Sequence, residues 1–354
     1  MMQAPKHLTG TPRLRATAAP AFDVLSDLLR VVRLTGAVLF RGELSAPWAF
    51  ETLHATQLAE MLLPGAKSLV LFHLVSQGQC WITLPDQGAA QLASGDMVVL
   101  PYGDVHTMAS ARGQTPVSVA GLVGNTRWDA GLPTVAYGGG GERTGLVCGF
   151  VTCDELIFNP LLKALPALLH VRAAAIAERS LLATTAGNLI DEVHCARAGS
   201  ACVLARLTEL LFVEVLRQHM GSLPPQTIGW LGALNDPVVG RALQALHAEP
   251  AHRWTVDTLV RQLGTSRSVL GRRFRQLLGE SPMHYLTRWR LQLAAQLLRD
   301  GTDPIAAVSA QVGYESEQAF NRAFKRQAGE PPAAWRVRAQ RLAATQSVPG
   351  PSRR

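Results

Sequence analysis

The feature that most constrains this chain is a repeat of helix punctuation in its last third. Asp236-Pro237 is an N-cap followed by proline at the first helical position, and it opens a helix to about Ala248. Thr255 caps a short helix, Val256–Leu263, which Gly264 stops. Thr265-Ser266 supplies a turn and a new cap, and Arg267–Leu278 runs on to Gly279. Pro282 then opens a long helix to about Arg299, closed by Asp300-Gly301. After it the order recurs: Asp303-Pro304 caps Ile305–Gln311, Gly313 ends it, Ser316 caps Glu317–Ala328, and Gly329 closes it. The second helix of each pair starts at Arg267 and at Glu317, fifty positions apart.

A helix, a glycine turn and a second helix make the helix-turn-helix pattern. The second helix must turn one apolar face inward and keep one polar face free. Leu270, Phe274, Leu277 and Leu278 suit the inward face of the first unit, and Phe320 and Phe324 that of the second. The helix between them, about eighteen residues at roughly 1.5 Å each, spans roughly 27 Å. That matches two reading heads in successive major-groove segments, which recur about every 34 Å on one face of DNA. Charge agrees. The formal net charge is +8, and residues 236–341 hold 16 Lys/Arg against 9 Asp/Glu, so nearly all the excess sits in this third. A basic domain beside a near-neutral one reads as a nucleic-acid footprint, although a solvated charged face shows the same excess.

Residues 236–341 resemble the DNA-binding domain of AraC/XylS-type regulators. The resemblance is carried by Tyr314-Glu-Ser316, Phe320, Phe324-Lys325, Gly329 and Pro332. In the first unit Leu259, Gly264-Thr265-Ser266, Leu270, Arg273-Phe274, Gly279, Pro282 and Tyr285-Leu286 carry it. By position it implies base contacts from Ser268, Gly271 and Arg272, and from Glu317, Gln318, Asn321 and Arg322, with Arg275 and Lys325 on the same DNA-facing surface. Gly271 departs from the pattern, since a polar side chain often reads a base there; first-unit specificity then leans on Arg272 and on DNA shape. Arg273 and Arg275 fit phosphate contacts or pairing with an acid. Glu317 fits either the dipole at a helix start or an acceptor for a cytosine amine.

The N-terminal half reads differently. Residues 1–20 form an expected loose arm, and apolar residues at helical intervals over 22–33 suggest a helix. Short runs at 36–40, 68–76, 80–84, Met97–Leu100 and 146–152, punctuated by Gly/Pro/Asp turns, read as the strands of a sandwich or barrel. Gly138–Gly141 reads as a plain flexible linker. Gly95, Pro101, Gly103 and His106 fit G-x5-P-x-G-x2-H, the second motif of cupin barrels, with the histidine on a strand facing inward. The first cupin motif is poorly kept, leaving only Phe72-His73-Leu74 before Gly78. His73 and His106 are thus candidate effector-binding residues. With a thiolate from Cys80 or Cys148 they form a candidate soft-metal site for zinc or iron, or else they simply pack. A small-molecule effector is the stronger expectation, because barrel mouths favour ligands.

The expected architecture is α+β and multidomain: a cupin-like β-barrel sensor over 21–158, a helical connector over 159–225, an all-α DNA-binding domain over 236–341 and a disordered tail over 342–354. Val203, Leu204, Leu207, Leu210, Leu211, Val215 and Leu216 make one apolar helix face, either core or a homodimer interface. The resemblance implies a transcription regulator that binds double-stranded promoter DNA, with RNA polymerase as a further partner. The rival is a cupin metalloenzyme fused to a DNA-binding domain; a third reading is a constitutive DNA-binder whose barrel only dimerises. No segment approaches twenty uninterrupted apolar residues, no secretory h-region stands at the start, and five cysteines form no CxxC pair. A non-enzymatic cytoplasmic protein without a membrane span is expected.

Overall fold

A computed structural model describes residues 22–32, 34–62, 69–123, 132–153, 157–178, 180–195, 197–224 and 227–346. The expected arm over 1–20 lies outside them. The N-terminal half opens with α1 (Val24–Val32) and continues as β1 (Leu34–Ser45), β2 (Ala49–Glu51), α2 (Ala55–Leu62), β3 (Leu69–Gln77), β4 (Gln79–Leu84), β5 (Gly88–Ala93), β6 (Met97–Leu100), β7 (Thr107–Ala109), β8 (Val117–Ser118), α3 (Val119–Val123), β9 (Thr134–Gly138), β10 (Arg143–Cys153) and β11 (Leu169–Val171). These strands form a six-stranded sheet, ordered β11-β6-β3-β10-β1-β9, and a five-stranded sheet, ordered β5-β4-β7-β2-β8. The cupin-like half is thus two facing sheets, with no hydrogen-bonded closure into one barrel among the described residues.

Strand β3 lies near the middle of the larger sheet and is buried on both faces, which explains its unbroken apolar run. Val70, Phe72 and Leu74 pack outward against the helices, while Leu71 and Val75 point between the sheets with Ile82, Leu92, Met108 and Leu146. By the same alternation His73 falls on the inner face. Gly103 fits only as glycine: its φ is +61°, and a Cβ there would stand 2.1 Å from Ala55 Cβ and 2.8 Å from Leu69 O.

The glycine run at 138–141 is not a plain linker. Gly139 N–H donates to Ser45 O, Gly141 N–H to Ala46 O and Gly140 N–H to Ser45 Oγ, binding the turn between β9 and β10 to the end of β1. A Cβ on Gly138 would lie 1.8 Å from Ser45 O, so glycine is needed for close approach rather than for looseness.

The connector is not wholly helical either, since β11 lies in it and extends the larger sheet beside β6. Its helices are α4 (Leu181–Cys195) and α5 (Ser200–Ser222). Leu204, Leu211, Val215 and Leu216 of α5 are buried within the chain, so most of the apolar face forms core. Val203 and Leu210 stay exposed.

The C-terminal helices are α6 (Trp230–Asn235), α7 (Val239–Ala248), α8 (Val256–Leu263), α9 (Arg267–Leu278), α10 (Pro282–Asp300), α11 (Ile305–Gln311), α12 (Glu317–Ala328) and α13 (Pro332–Gln346). Helix α6 precedes the expected start at 236 and buries Trp230 in the domain core. Helix α13 reaches Gln346, five residues into the expected disordered tail; 347–354 lie outside the described residues. The caps follow the punctuation with one exception. Thr255, Ser266, Ser281 and Ser316 each accept a backbone N–H, and Asp236 accepts from Val238 and Val239. Asp303 does not cap α11: its carboxylate accepts from Gln311 Nε2 and its carbonyl from Arg336.

Helix α10 divides its buried side chains between two cores. Tyr285, Leu286 and Trp289 join the first unit's core, and Leu291, Ala294, Ala295 and Leu298 the second's. The first of these cores runs on without a break through α5 to the outer face of β3 and α1. The N-terminal half and the first helix-turn-helix unit therefore share one hydrophobic core.

Candidate functional site

Two places carry chemistry, the outer surface of α9 and α12 and the space between the sheets. In α9 Leu270, Phe274 and Leu277 are buried, while Ser268, Arg272 and Arg275 are exposed and Gly271 is half-buried. In α12 Phe320, Ala323 and Phe324 are buried, while Glu317, Gln318, Arg322 and Lys325 are exposed and Asn321 is half-buried. All nine expected DNA-facing residues thus lie away from the cores. The helical period forces this result once the phenylalanines face inward.

Neighbouring basic residues are committed elsewhere. Arg273 pairs with Asp236, the residue that caps α7. Burial alone would raise the Asp236 carboxyl; Arg273 and the N–H groups of Val238 and Val239 outweigh it and hold the group below the usual carboxylate range. Arg273 is accordingly a structural residue, and Arg267 pairs with Asp257.

Sequence reasoning missed Arg290. From the middle of α10 its guanidinium donates to Pro250 O (2.6 Å) and His252 O (2.7 Å) beside the first unit, and to Gly313 O (3.1 Å) in the turn of the second. One planar fork therefore ties both reading heads to a single helix. A lone arginine within a helical pattern carries no signal of such a role.

A second missed group joins the two halves. Trp230 Nε1–H donates to Tyr285 Oη (2.9 Å), Tyr285 O–H donates to His247 Nε2 (2.8 Å), and His247 Nδ1–H donates to Asp27 Oδ2 (2.8 Å). Asp27 belongs to α1, and the other three to the C-terminal helices. Burial lowers the His247 pKa, opposed by Asp27, so the imidazole is neutral with its proton on Nδ1. Phe158 packs edge-on to Tyr285 under the Arg288 guanidinium, and Gln327 Nε2 donates to Ile157 O.

Between the sheets His73 and His106 do meet. Asp104 O accepts from His106 Nδ1 (2.8 Å), which places that proton and leaves His106 Nε2 as an acceptor. His73 Nε2–H then donates to His106 Nε2 (2.7 Å), and Cys148 S–H to His73 Nδ1 (2.9 Å). Every group in this chain is neutral. Burial pushes His106 down to about 4; burial, then the neighbouring His106, holds His73 well below its usual value; burial raises the Cys148 thiol. His106 sits just before β7 rather than on it, 1% exposed.

The expected zinc or iron ligands do not converge. His73 turns one ring nitrogen to His106 and the other to Cys148, so the three donors share no common point. Cys80 is buried, and its thiol is pushed up to about 12 by burial and then by Asp96. Among the described residues no three His, Cys, Asp or Glu are grouped to hold a metal ion.

Beside this chain lies a cavity of about 210 Å³, bounded by Leu39 and Phe40 of β1, Leu71 and His73 of β3, Cys148 and Gly149 of β10, Thr52, Leu53, Leu58 and Met61 around α2, and Val119, Ala120 and Val123 of α3. His73 and Cys148 are thus pocket wall, whereas His106 stands behind His73.

Comparison with known proteins bears on both places. A cupin family model matches residues 23–221, and a helix-turn-helix domain model matches residues 259–338. An AraC-like transcription regulator of Streptomyces antibioticus is 36% identical over 273 residues, 77% of this chain and 88% of that protein. The HTH-type transcriptional regulator AlkR of Acinetobacter baylyi is 29% identical over 319 residues, 89% of this chain and 99% of that protein. Among solved structures, the DNA-binding domain of the global transcriptional factor AdpA, in complex with a target DNA, is 29% identical. It covers 30% of this chain and 95% of its own, with a TM-score of 0.29. Among the described residues no helix is long and apolar enough to cross a membrane.

Proposed function

The chain belongs to the AraC-like transcription regulators and carries a cupin domain; from that premise we propose that it reads promoter DNA through α9 and α12 under the control of a small molecule held between its sheets. The observation that carries the reading is the pair of recognition helices, each with buried phenylalanine inside and Arg, Gln or Asn outside, fixed to one spanning helix by Arg290. Arg272 and Arg322 are the side chains suited to bidentate contact with guanine, and Gln318 and Asn321 suit adenine. Arg275 and Lys325 suit phosphate, where they position rather than specify. Gly271 offers no side chain, so α12 carries more of the base readout.

Control by an effector is supported by the cavity against β3, whose opposite face belongs to the core shared with the first reading unit. Such control is a coupling between two sites and needs two states with different contacts. The protein acts on double-stranded DNA in the cytoplasm, as a homodimer over whatever apolar surface α5 leaves exposed around Val203 and Leu210, with RNA polymerase as its further partner.

The test is binding to the upstream region of its own gene, with mismatched DNA as reference. Each base-reading arginine contributes about 1–3 kcal/mol. Arg272→Ala with Arg322→Ala is therefore expected to weaken specific binding by about thirtyfold or more, with little loss on mismatched DNA. Retained affinity and sequence preference in that double variant would sink the readout.

A further inference from the structure

We propose that the cavity between the sheets takes an uncharged, mainly apolar molecule of about eight to ten heavy atoms and rejects carboxylates and amines. The proposal rests on the sensor reading above and names the ligand class for the same pocket.

Size comes first. A cavity near 150 Å³ accommodates benzene, so about 210 Å³ holds roughly eight heavy atoms in the enclosed part, with the open mouth by Met61 allowing a little more. Polarity decides the class. Among the described residues that line the cavity only Thr52, His73 and Cys148 are polar, and none carries a charge. All three are occupied: His73 by both neighbours, Cys148 by His73, and Thr52 by the backbone and ring of His106. From the described lining side chains a ligand hydroxyl therefore gains one weak hydrogen bond, to the Cys148 sulfur. Binding energy has to come from burying apolar surface against Leu39, Leu58, Leu71 and Val123.

Among the described lining residues neither sign of charge finds a partner. A carboxylate leaving water needs a cation or several donors, and its desolvation otherwise costs several kcal/mol. His73 cannot become that cation without losing its bond from Cys148, because its Nδ1 is the acceptor there. An ammonium meets a protonated thiol in place of a carboxylate. The relay from Cys148 to the Asp104 carbonyl thus keeps the wall neutral, and His106, the histidine of the cupin motif, acts by holding His73 in the right tautomer.

The experiment uses the full-length protein and three probes that differ in head group, namely 1-octanol, octanoate and octylammonium, titrated calorimetrically at pH 7.5. Octanol is expected to bind at least tenfold tighter than either ion. An ion that binds as tightly, or octanol that does not bind up to its solubility, overturns the proposal. Ala120→Phe and Leu53→Phe each fill the cavity from a different wall. In whichever variant keeps its thermal midpoint, octanol affinity should fall at least tenfold, and unchanged affinity overturns the assignment. Promoter DNA binding is titrated in parallel. If the ranking holds while DNA affinity ignores octanol, the ligand class stands and effector control fails. If octanoate alone shifts DNA affinity, effector control stands and the ligand class is wrong.

Discussion

Replacing Tyr285 with phenylalanine removes one oxygen and leaves two buried groups without partners. The ring keeps its contacts with Phe158 and Phe274, so no cavity opens. Trp230 Nε1–H loses its acceptor and His247 Nε2 its donor, at residues only 2% and 3% exposed, where water does not reach. An unsatisfied buried donor or acceptor costs about 1–3 kcal/mol, so the pair should cost about 2–4 kcal/mol after partial relaxation. Urea unfolding followed by tryptophan fluorescence reads this as a lower midpoint at unchanged slope. A double-mutant cycle with Trp230→Phe isolates the hydrogen bond, and the two losses should be less than additive by about 1 kcal/mol. A Tyr285→Phe loss under about 0.5 kcal/mol, or strict additivity in the cycle, refutes the directed chain from Trp230 to Asp27.

Gly271→Ala tests whether that glycine serves structure or DNA. A Cβ there meets nothing within 4 Å, so the change should stabilise α9 by about 0.5–1 kcal/mol. A fall in thermal midpoint would show that the helix needs glycine, while a stabilised variant with weaker promoter affinity would place the DNA backbone against it. Acid stability follows from His106. The unfolded chain takes up a proton near 6.5 that the folded protein refuses until about 4, so stability rises with pH across that window and is lost as pH falls through it. At 1.36 kcal/mol per pH unit the loss from His106 is roughly 3 kcal/mol, and His106→Asn should make the urea midpoint fall less steeply between pH 6.5 and 4.5, the remaining slope coming from His73 and His247; an equal slope in both proteins refutes it. Arg290→Met keeps the stem but drops three contacts to carbonyls. Promoter affinity should fall at least tenfold, about 1.4 kcal/mol, with Arg290→Lys intermediate in a mobility-shift titration, and an unaffected Arg290→Met would remove the clamp from the account.

The C-terminal units were legible because their signals are local. A cap, a glycine stop and an inward aromatic each act within one or two turns, and Val256–Leu263, Arg267–Leu278, Ile305–Gln311 and Glu317–Ala328 match the expected spans residue for residue. What was missed is what is long-range. Strand β11 is three residues that pair with β6 some seventy positions earlier, and nothing local separates it from a connector. The glycine run at 138–141 reads as loose because composition cannot show that Ser45 is close by. Asp303 looks like a cap from its neighbour Pro304, yet its groups are taken by Gln311 and Arg336. His73 and His106 stand out together in the sequence, but nothing there shows that Cys148 bonds the other ring nitrogen of His73.

The arrangement of cores decides which reading unit a ligand can influence. Strand β3 has the cavity on one face and the shared core on the other, so a molecule seated against Leu71 and His73 presses on a wall whose reverse side, Val70, Phe72 and Leu74, packs in the core that continues to α7, α9 and the first half of α10. Close-packed interiors transmit such displacement because they have no slack to absorb it. Asp27 adds a polar tie to the same unit through His247. The second unit has a separate core and meets the N-terminal half at Ile157, through Gln327 and apolar packing. On the proposed reading the two heads therefore divide the work. The α12 head holds the fuller set of base-reading side chains and packs in its own core, touching the N-terminal half through Gln327, while the α9 head, weaker in readout at Gly271, shares the core that backs the cavity. A ligand need not then abolish DNA binding to regulate it; shifting the weaker, coupled head is enough to change how the whole domain sits on its promoter.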